Sequence, residues 1–169
     1  MKLDSYWLDT APGVQGAEDG NVDGEADAVV IGAGLTGLSA ALSLSKLGAN
    51  VVVLEAGRTI GEASGSNGGQ CNTGLVQDYL DVVSRYGEER ARDFHRSFTA
   101  AVDTVERVIR EERINCEFDR VGKLKLASKP DHYEKLAHTL EVLHDVEPNL
   151  QLINASAIRD EVDSEAFYG

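Results

Sequence analysis

The chain has 169 residues, a length typical of one domain that can bury its own hydrophobic core. Its 16 basic and 29 acidic residues give a net charge of −13. This charge excludes a nucleic-acid-binding protein, which needs clustered Lys and Arg to contact phosphates. No stretch approaches the roughly 20 apolar residues of a membrane span, and the first residues lack the apolar run of a signal peptide. We therefore expect a cytoplasmic protein.

The cysteine and histidine pattern argues against a metal site. Cys71 and Cys116 offer neither a disulfide framework nor the spacing of metal ligands, so we expect free thiols. His132, His138 and His144 are six residues apart on a predicted helix, and this spacing prevents the three from sharing one face. We predict no bound metal.

Glycine divides the chain into two parts, because 14 of the 17 glycines lie at or before Gly74. Residues 1–25 are acidic and rich in glycine, which predicts an amino-terminal arm that is mobile or lies along the surface. Residues 28–74 carry few charges, so an anionic ligand can approach this segment without general repulsion.

A βαβ unit follows the arm. The apolar, β-branched run at residues 28–31 predicts a parallel strand that is buried on both faces. Apolar spacing predicts a helix from Thr36 to Leu47 that ends at Gly48. A second strand is predicted at residues 51–54, directly before Glu55.

The later elements are predicted from periodicity. Residues 77–113 have the spacing of two amphipathic helices separated at Gly87. Residues 122–127 alternate like a half-buried antiparallel strand, and a helix follows Pro130. A strand is predicted at 150–153, and a short helix at 157–162.

The turn inside the βαβ unit has the sequence Gly32-x-Gly34-x-x-Gly37, which is typical of dinucleotide-binding proteins when it follows a strand and opens a helix. Its free N–H groups and the helix dipole favour a diphosphate. Glu55 lies 18 residues beyond Gly37, where a carboxylate accepts hydrogen bonds from ribose hydroxyls and repels the 2′-phosphate of NADP. The motif does not separate FAD from NAD.

The loop that follows favours a flavin. Residues 57–74 contain six glycines and many polar side chains but neither helical nor strand periodicity. Glycines there would let the backbone lie against a flat ring system. An NAD enzyme usually has a short connection at this point. In a flavoprotein the chain must continue along the cofactor, past the diphosphate and toward the isoalloxazine ring.

Three segments, residues 26–42, 53–56 and 63–70, resemble the glycine/D-amino acid oxidase-like FAD-dependent oxidoreductases. The Ser-x-x-Asn-Gly-Gly-Gln pattern at 64–70 resembles the gamma-glutamylputrescine oxidase branch of that family, and the Ser-Tyr-Trp sequence at 5–7 is a weaker family mark. Ser66 differs from the arginine often found at its position.

The resemblance implies FAD as cofactor and a set of residues that bind it. The diphosphate would be held by Gly32, Gly34, Leu35, Thr36 and Gly37, and the ribose by Glu55. Near the adenosine end would lie Ala56 and Arg58. The flavin side would be lined by Ser64, Ser66, Asn67, Gly68, Gly69 and Gln70. No catalytic residue is predicted.

The resemblance also implies an activity. Family members oxidise a carbon–nitrogen bond of an amine or amino acid: hydride passes to the flavin, the imine hydrolyses, and oxygen or another acceptor reoxidises the flavin. A D-amino acid dehydrogenase and a sarcosine-type oxidase remain open alternatives in this class. An NAD-dependent dehydrogenase and a non-catalytic nucleotide-binding fragment remain open outside it.

The expected fold class is α/β, with a Rossmann-like FAD-binding βαβ unit of the glutathione-reductase type and the start of an α+β substrate domain. The expected domains are the arm at 1–25, the amino-terminal part of the FAD-binding domain at 26–115, and the beginning of the substrate domain at 116–169. Since two parallel strands leave unpaired edges, we expect a truncated chain, the amino-terminal part of a longer oxidase.

Overall fold

The computed structural model describes residues 4–11, 13–14, 16–18, 20, 22–74 and 77–169. Part of the predicted arm, namely residues 1–3, 12, 15, 19 and 21, lies outside the described residues. The chain divides into two compact units, Met1–Gln70 and Cys71–Gly169, which we call the amino-terminal and carboxy-terminal units. This division lies at another position than the expected domain boundaries at 25/26 and 115/116, which stay predictions.

The amino-terminal unit contains a short helix and a βαβ unit. Its elements are α1 (Tyr6–Thr10), β1 (Ala28–Ile31), α2 (Leu35–Lys46) and β2 (Val51–Leu54). The strands pair in parallel, with Ala28 opposite Val51 and Ile31 opposite Leu54. Helix α2 contacts both strands. The predicted βαβ unit is therefore confirmed, and α2 ends before Gly48, whose φ is 90°.

Helix α2 starts close to the end of β1 because residue 37 has no side chain. A Cβ atom at Gly37 would lie closer than 3.0 Å to the carbonyl oxygen of Gly32 and 3.3 Å from Cγ1 of Val30. Val30 therefore lies on the sheet face that α2 covers. Any larger residue at position 37 would push the helix away from the strand.

The predicted burial of β1 on both faces is wrong for the described residues. Val29 and Ile31 are 56% and 88% exposed, whereas Ala28 and Val30 are half-buried. Successive side chains of a strand point to opposite faces, so Val29 and Ile31 lie on the face away from α2. A parallel strand is buried on both faces only where helices cover both, and α2 covers one.

The carboxy-terminal unit is helical. Its elements are α3 (Tyr79–Tyr86), α4 (Glu88–Glu111), α5 (Pro130–Leu143) and α6 (Ile158–Glu161). Gly87, with φ of 82°, separates α3 from α4 as predicted, and Pro130 opens α5. In the part of this unit that the structure describes, the buried apolar side chains are Val82, Ala91, Val102, Ala127, Leu143 and Ile158.

The two strands predicted at 122–127 and 150–153 are not formed, so these predictions are wrong. A strand needs a partner for its backbone hydrogen bonds. At the end of the first segment the Ala127 N–H donates to the Gly169 carbonyl oxygen at 2.7 Å, and the Tyr168 N–H donates to the Ala127 carbonyl oxygen at 2.8 Å. These two bonds do not extend into a ladder. The alternating apolar and polar residues therefore do not form a strand here, because the segment has no continuous pairing partner.

His95 has a structural position in the carboxy-terminal unit. Its Nε2 atom lies 2.6 Å from Oε2 of Glu147, and its side chain is 10% exposed. The ring of Tyr79 meets the imidazole edge to face at 6.1 Å, and burial raises the pKa of Tyr79. These contacts join α3 and α4 to the segment after α5, so His95 has a packing role.

Neither a membrane-spanning helix nor a metal cluster is found in the described part of the chain. The helices there are too short or too polar to cross a bilayer. No three His, Cys, Asp or Glu side chains of the described residues are grouped so that they could hold an ion. Both cysteines are free and exposed.

We predict that Gly37→Ala destabilises the amino-terminal unit by about 3 kcal/mol, because the new methyl group collides with backbone atoms that cannot rotate away. Urea unfolding followed by the fluorescence of Trp7, the sole tryptophan, measures this change. Gly13→Ala is the control, since a Cβ atom there meets nothing within 4 Å. Equal unfolding midpoints for the two variants would contradict the packing role of Gly37.

Candidate functional site

The glycine turn at the end of β1 is joined directly to β2. Gly32 adopts φ of 98°, a conformation that side chains other than glycine rarely tolerate. Its N–H donates to the carbonyl oxygen of Leu54 at 2.7 Å. The turn therefore continues the parallel pairing by one residue before the chain enters α2.

Glu55 connects the glycine turn to the end of β2. Its Oε2 accepts a hydrogen bond from the N–H of Ala33 at 2.7 Å, and its Oε1 accepts one from the N–H of Gly57 at 2.9 Å. These bonds hold the pKa of Glu55 below its ordinary value, the bond from Ala33 contributing most. The side chain is exposed, and each carboxylate oxygen can accept a further hydrogen bond. Glu55 therefore lies at the glycine turn with acceptor capacity left for a ligand.

The amino terminus of α2 faces the loop that follows Glu55. Gly34 is the N-cap residue and has no side chain to satisfy the first N–H groups of the helix. The hydroxyl of Ser64 acts as the capping group instead, since its Oγ accepts a hydrogen bond from the N–H of Leu35 at 3.1 Å. No acidic residue lies in the first turn of α2. The helix dipole there remains available to an anion.

Asn67 organises the loop internally. Its Nδ2 donates to the carbonyl oxygen of Ser64 at 2.7 Å, and its Oδ1 accepts from the N–H of Gly69 at 2.7 Å. The side chain thus braces the backbone on both sides of itself. Predicted site residues 64, 67 and 69 therefore form one hydrogen-bonded segment next to the start of α2.

Helix α1 contacts this loop, a feature that sequence reasoning missed. Trp7 Nε1 donates to the carbonyl oxygen of Asn67 at 2.7 Å, and the hydroxyl of Ser5 donates to the carbonyl oxygen of Gly65. Arg58, which we expected at the adenosine end, donates from Nη2 to the carbonyl oxygen of Leu8 at 2.7 Å. The Ser-Tyr-Trp sequence at 5–7 was the available signal for this contact.

The remaining predicted residues are exposed in α2, beside Glu55 and in the loop. Thr36 lies exposed in the first turn of α2, and Ala56 is exposed beside Glu55. Ser66, Gly68 and Gln70 are exposed in the loop. A Cβ atom at Gly68 would meet nothing within 4 Å, so the space beside this glycine is open.

Comparison with known proteins gives consistent results. A family model described as FAD dependent oxidoreductase (DAO) matches residues 27–169. Gamma-glutamylputrescine oxidoreductase of Escherichia coli K12 is 36% identical over 145 residues, which cover 85% of this chain and 34% of that protein. The probable oxidoreductase OrdL of Haemophilus influenzae is 30% identical over 146 residues, covering 85% of this chain and 34% of the relative.

A second OrdL protein, from Rhizobium meliloti, is 48% identical over 72 residues, which cover 41% of this chain and 17% of that protein. The chain thus spans about a third of the length of the first two relatives. No solved structure matches it.

We predict that the contribution of Glu55 to stability depends on pH. Because its pKa is lowered in the folded state, the stabilisation is present above the ordinary glutamate pKa and is lost as the pH falls through the lowered value. Wild type and Glu55→Gln should therefore differ most near neutral pH and converge on acidification. Urea unfolding at stepped pH, followed by Trp7 emission, measures the difference.

The matched control for this experiment is Glu18→Gln, which removes an exposed carboxylate of the arm. Its stability should stay parallel to that of the wild type across the pH series. A difference between wild type and Glu55→Gln that is constant at every pH would contradict the assigned cause.

Proposed function

Since the chain belongs to the FAD-dependent oxidoreductase family, we propose that it provides the dinucleotide-binding part of an enzyme that oxidises the carbon–nitrogen bond of an amine or amino acid. The observation that carries this proposal is the position of Glu55 at the glycine turn, beside the start of α2, whose N-cap residue Gly34 has no side chain. An anion site and a sugar-binding carboxylate then lie next to each other, which is the arrangement a dinucleotide requires.

We assign the diphosphate to the turn and the first residues of α2. The segment is compatible with an anion because the helix dipole is free and no acidic side chain lies in the first turn. The diphosphate contacts are proposed for Gly32, Gly34, Leu35, Thr36 and Gly37. The Ser64 hydroxyl accepts from the Leu35 N–H at 3.1 Å and can turn from it to donate to a phosphate oxygen.

We assign the adenosine ribose to Glu55, with Ala56 alongside. The carboxylate is held by two backbone N–H groups, so it is ionised and fixed in direction before a ligand arrives. Its negative charge disfavours a ribose that carries a 2′-phosphate. We place the flavin side of FAD along the loop residues Ser64, Ser66, Asn67, Gly68, Gly69 and Gln70.

Bound FAD supplies the two-electron acceptor for oxidation of the carbon–nitrogen bond. The residues of this chain bind and orient the cofactor, and none of them is assigned to proton transfer. The substrate class follows from the relative named gamma-glutamylputrescine oxidoreductase, so we propose a gamma-glutamylated or related amine. A D-amino acid and sarcosine are the competing substrates within the family. Molecular oxygen or another acceptor would take the electrons from the enzyme.

We predict that the chain retains FAD after free flavin is removed and that Glu55→Gln weakens FAD binding about tenfold, because a charge-assisted hydrogen bond to ribose is lost. Visible absorption of the dialysed protein and titration with FAD measure retention and affinity. Glu18→Gln should bind as the wild type does. Tight binding of NADH without any flavin would instead support an NAD-dependent dehydrogenase, and binding of neither would support a non-catalytic fragment.

The substrate is tested in enzyme that includes this chain, mixed under nitrogen with each candidate. We expect gamma-glutamylputrescine to bleach the flavin absorption at least tenfold faster than D-alanine or sarcosine, since one extra matched polar group commonly separates substrates by that factor or more. Bleaching by D-alanine alone would replace the proposed substrate with a D-amino acid.

A further inference from the structure

Helix α1 is attached to the loop at residues 58–69 by three hydrogen bonds that bridge 50 to 60 positions of sequence. Two run to loop carbonyl oxygens, from Trp7 of α1 to Asn67 and from Ser5, the N-cap residue of α1, to Gly65. The third runs back from Arg58 to the carbonyl oxygen of Leu8. A five-residue helix has little stability alone, so these bonds determine where it lies.

Steric contacts connect the same two segments, α1 and the loop, as the hydrogen bonds do. A Cβ atom at Gly69 would lie closer than 3.0 Å to Cζ2 of Trp7, and one at Gly65 would lie 2.6 Å from Cδ2 of Leu8. Gly65 is buried although it belongs to a loop. Gly69 therefore accommodates Trp7, and Gly65 accommodates both Leu8 of α1 and the carbonyl oxygen of Ile60 in its own loop, whereas the space beside Gly68 is open.

We propose that Trp7 is a positioning residue that holds this loop in the conformation that binds the flavin side of FAD. The proposal rests on the function proposed above. Trp7 acts through Asn67, whose carbonyl oxygen it binds and whose side chain braces Ser64 and Gly69. Ser64 in turn reaches the start of α2. One line of contacts thus joins α1 to the loop on the flavin side and to the start of α2, where the diphosphate is proposed to bind.

The physical reason is preorganisation. A loop rich in glycine loses much backbone entropy when it becomes ordered around a ligand. A loop that is already held by α1 loses less on binding, so FAD binds more tightly. The indole N–H of Trp7 and its ring edge against Gly69 supply that restraint.

The test compares Trp7→Phe, Gly69→Ala and Thr10→Val in the 169-residue chain. Trp7→Phe keeps a ring but removes the N–H donor, and Gly69→Ala places a methyl group where the indole lies, at a residue with φ of 69°. Thr10→Val is the matched control, because the Thr10 hydroxyl bonds to Tyr6 within α1 and makes no bond to the loop. The readouts are the Kd for FAD, the visible circular dichroism of bound flavin, and the thermal midpoint of the flavin-free protein.

We expect Trp7→Phe to weaken FAD binding about fivefold and Gly69→Ala about tenfold or more, with altered flavin dichroism. Thr10→Val should stay within about twofold of the wild type. In flavin-free protein, Gly69→Ala should also shift Trp7 emission to longer wavelength as the indole leaves the loop.

FAD affinity and dichroism that equal the wild type in Trp7→Phe and Gly69→Ala, with only the thermal midpoint lowered, would reduce α1 to a structural support and overturn the proposal. That result leaves the proposed function standing, because the wild type still binds FAD. Failure of the wild type to bind FAD would overturn both.

Discussion

The amino-terminal unit depends on the close approach of α2 to the end of β1, which is possible because Gly37 has no side chain. With the helix in this position, its first N–H groups lie beside the glycine turn, and Glu55 at the end of β2 reaches the N–H of Ala33. A side chain at position 37 would separate the helix dipole from the carboxylate. The two parts of the proposed dinucleotide site, the start of α2 and Glu55, are therefore brought together because residue 37 is a glycine.

The rest of the unit is organised by hydrogen bonds more than by apolar burial. Among the described residues of this unit, Ala33 is the one apolar side chain that is fully buried. Each neutral hydrogen bond contributes only about 1 kcal/mol, but several act on the same loop, from Ser64, Asn67, Ser5 and Trp7. A loop held in this way keeps a defined shape at low net stability, as ligand-binding segments commonly do.

Local signals predicted most of the fold correctly, because they act over short distances. The βαβ unit, the break at Gly87 and the start of α5 at Pro130 follow from periodicity and from single glycine or proline residues. The strands predicted at 122–127 and 150–153 failed because alternation does not supply a pairing partner. The exposed face of β1 and the contact of α1 with the loop both depend on distant chain segments, which a local pattern does not contain.

In the candidate site, too, local features were predicted from the sequence and contacts between distant segments were not. The turn at 32–37 and Glu55 were recognisable because each residue type performs a separate physical task at a set spacing. In the loop the sequence pattern was ambiguous, since glycine serves equally well to admit a flat ligand and to admit another part of the chain. Gly69 is explained by Trp7 and Gly65 by the carbonyl oxygen of Ile60 together with Leu8, whereas the space beside Gly68 is open. The turn and Glu55 therefore support a dinucleotide, the family supports FAD in particular, and glycine content alone adds little.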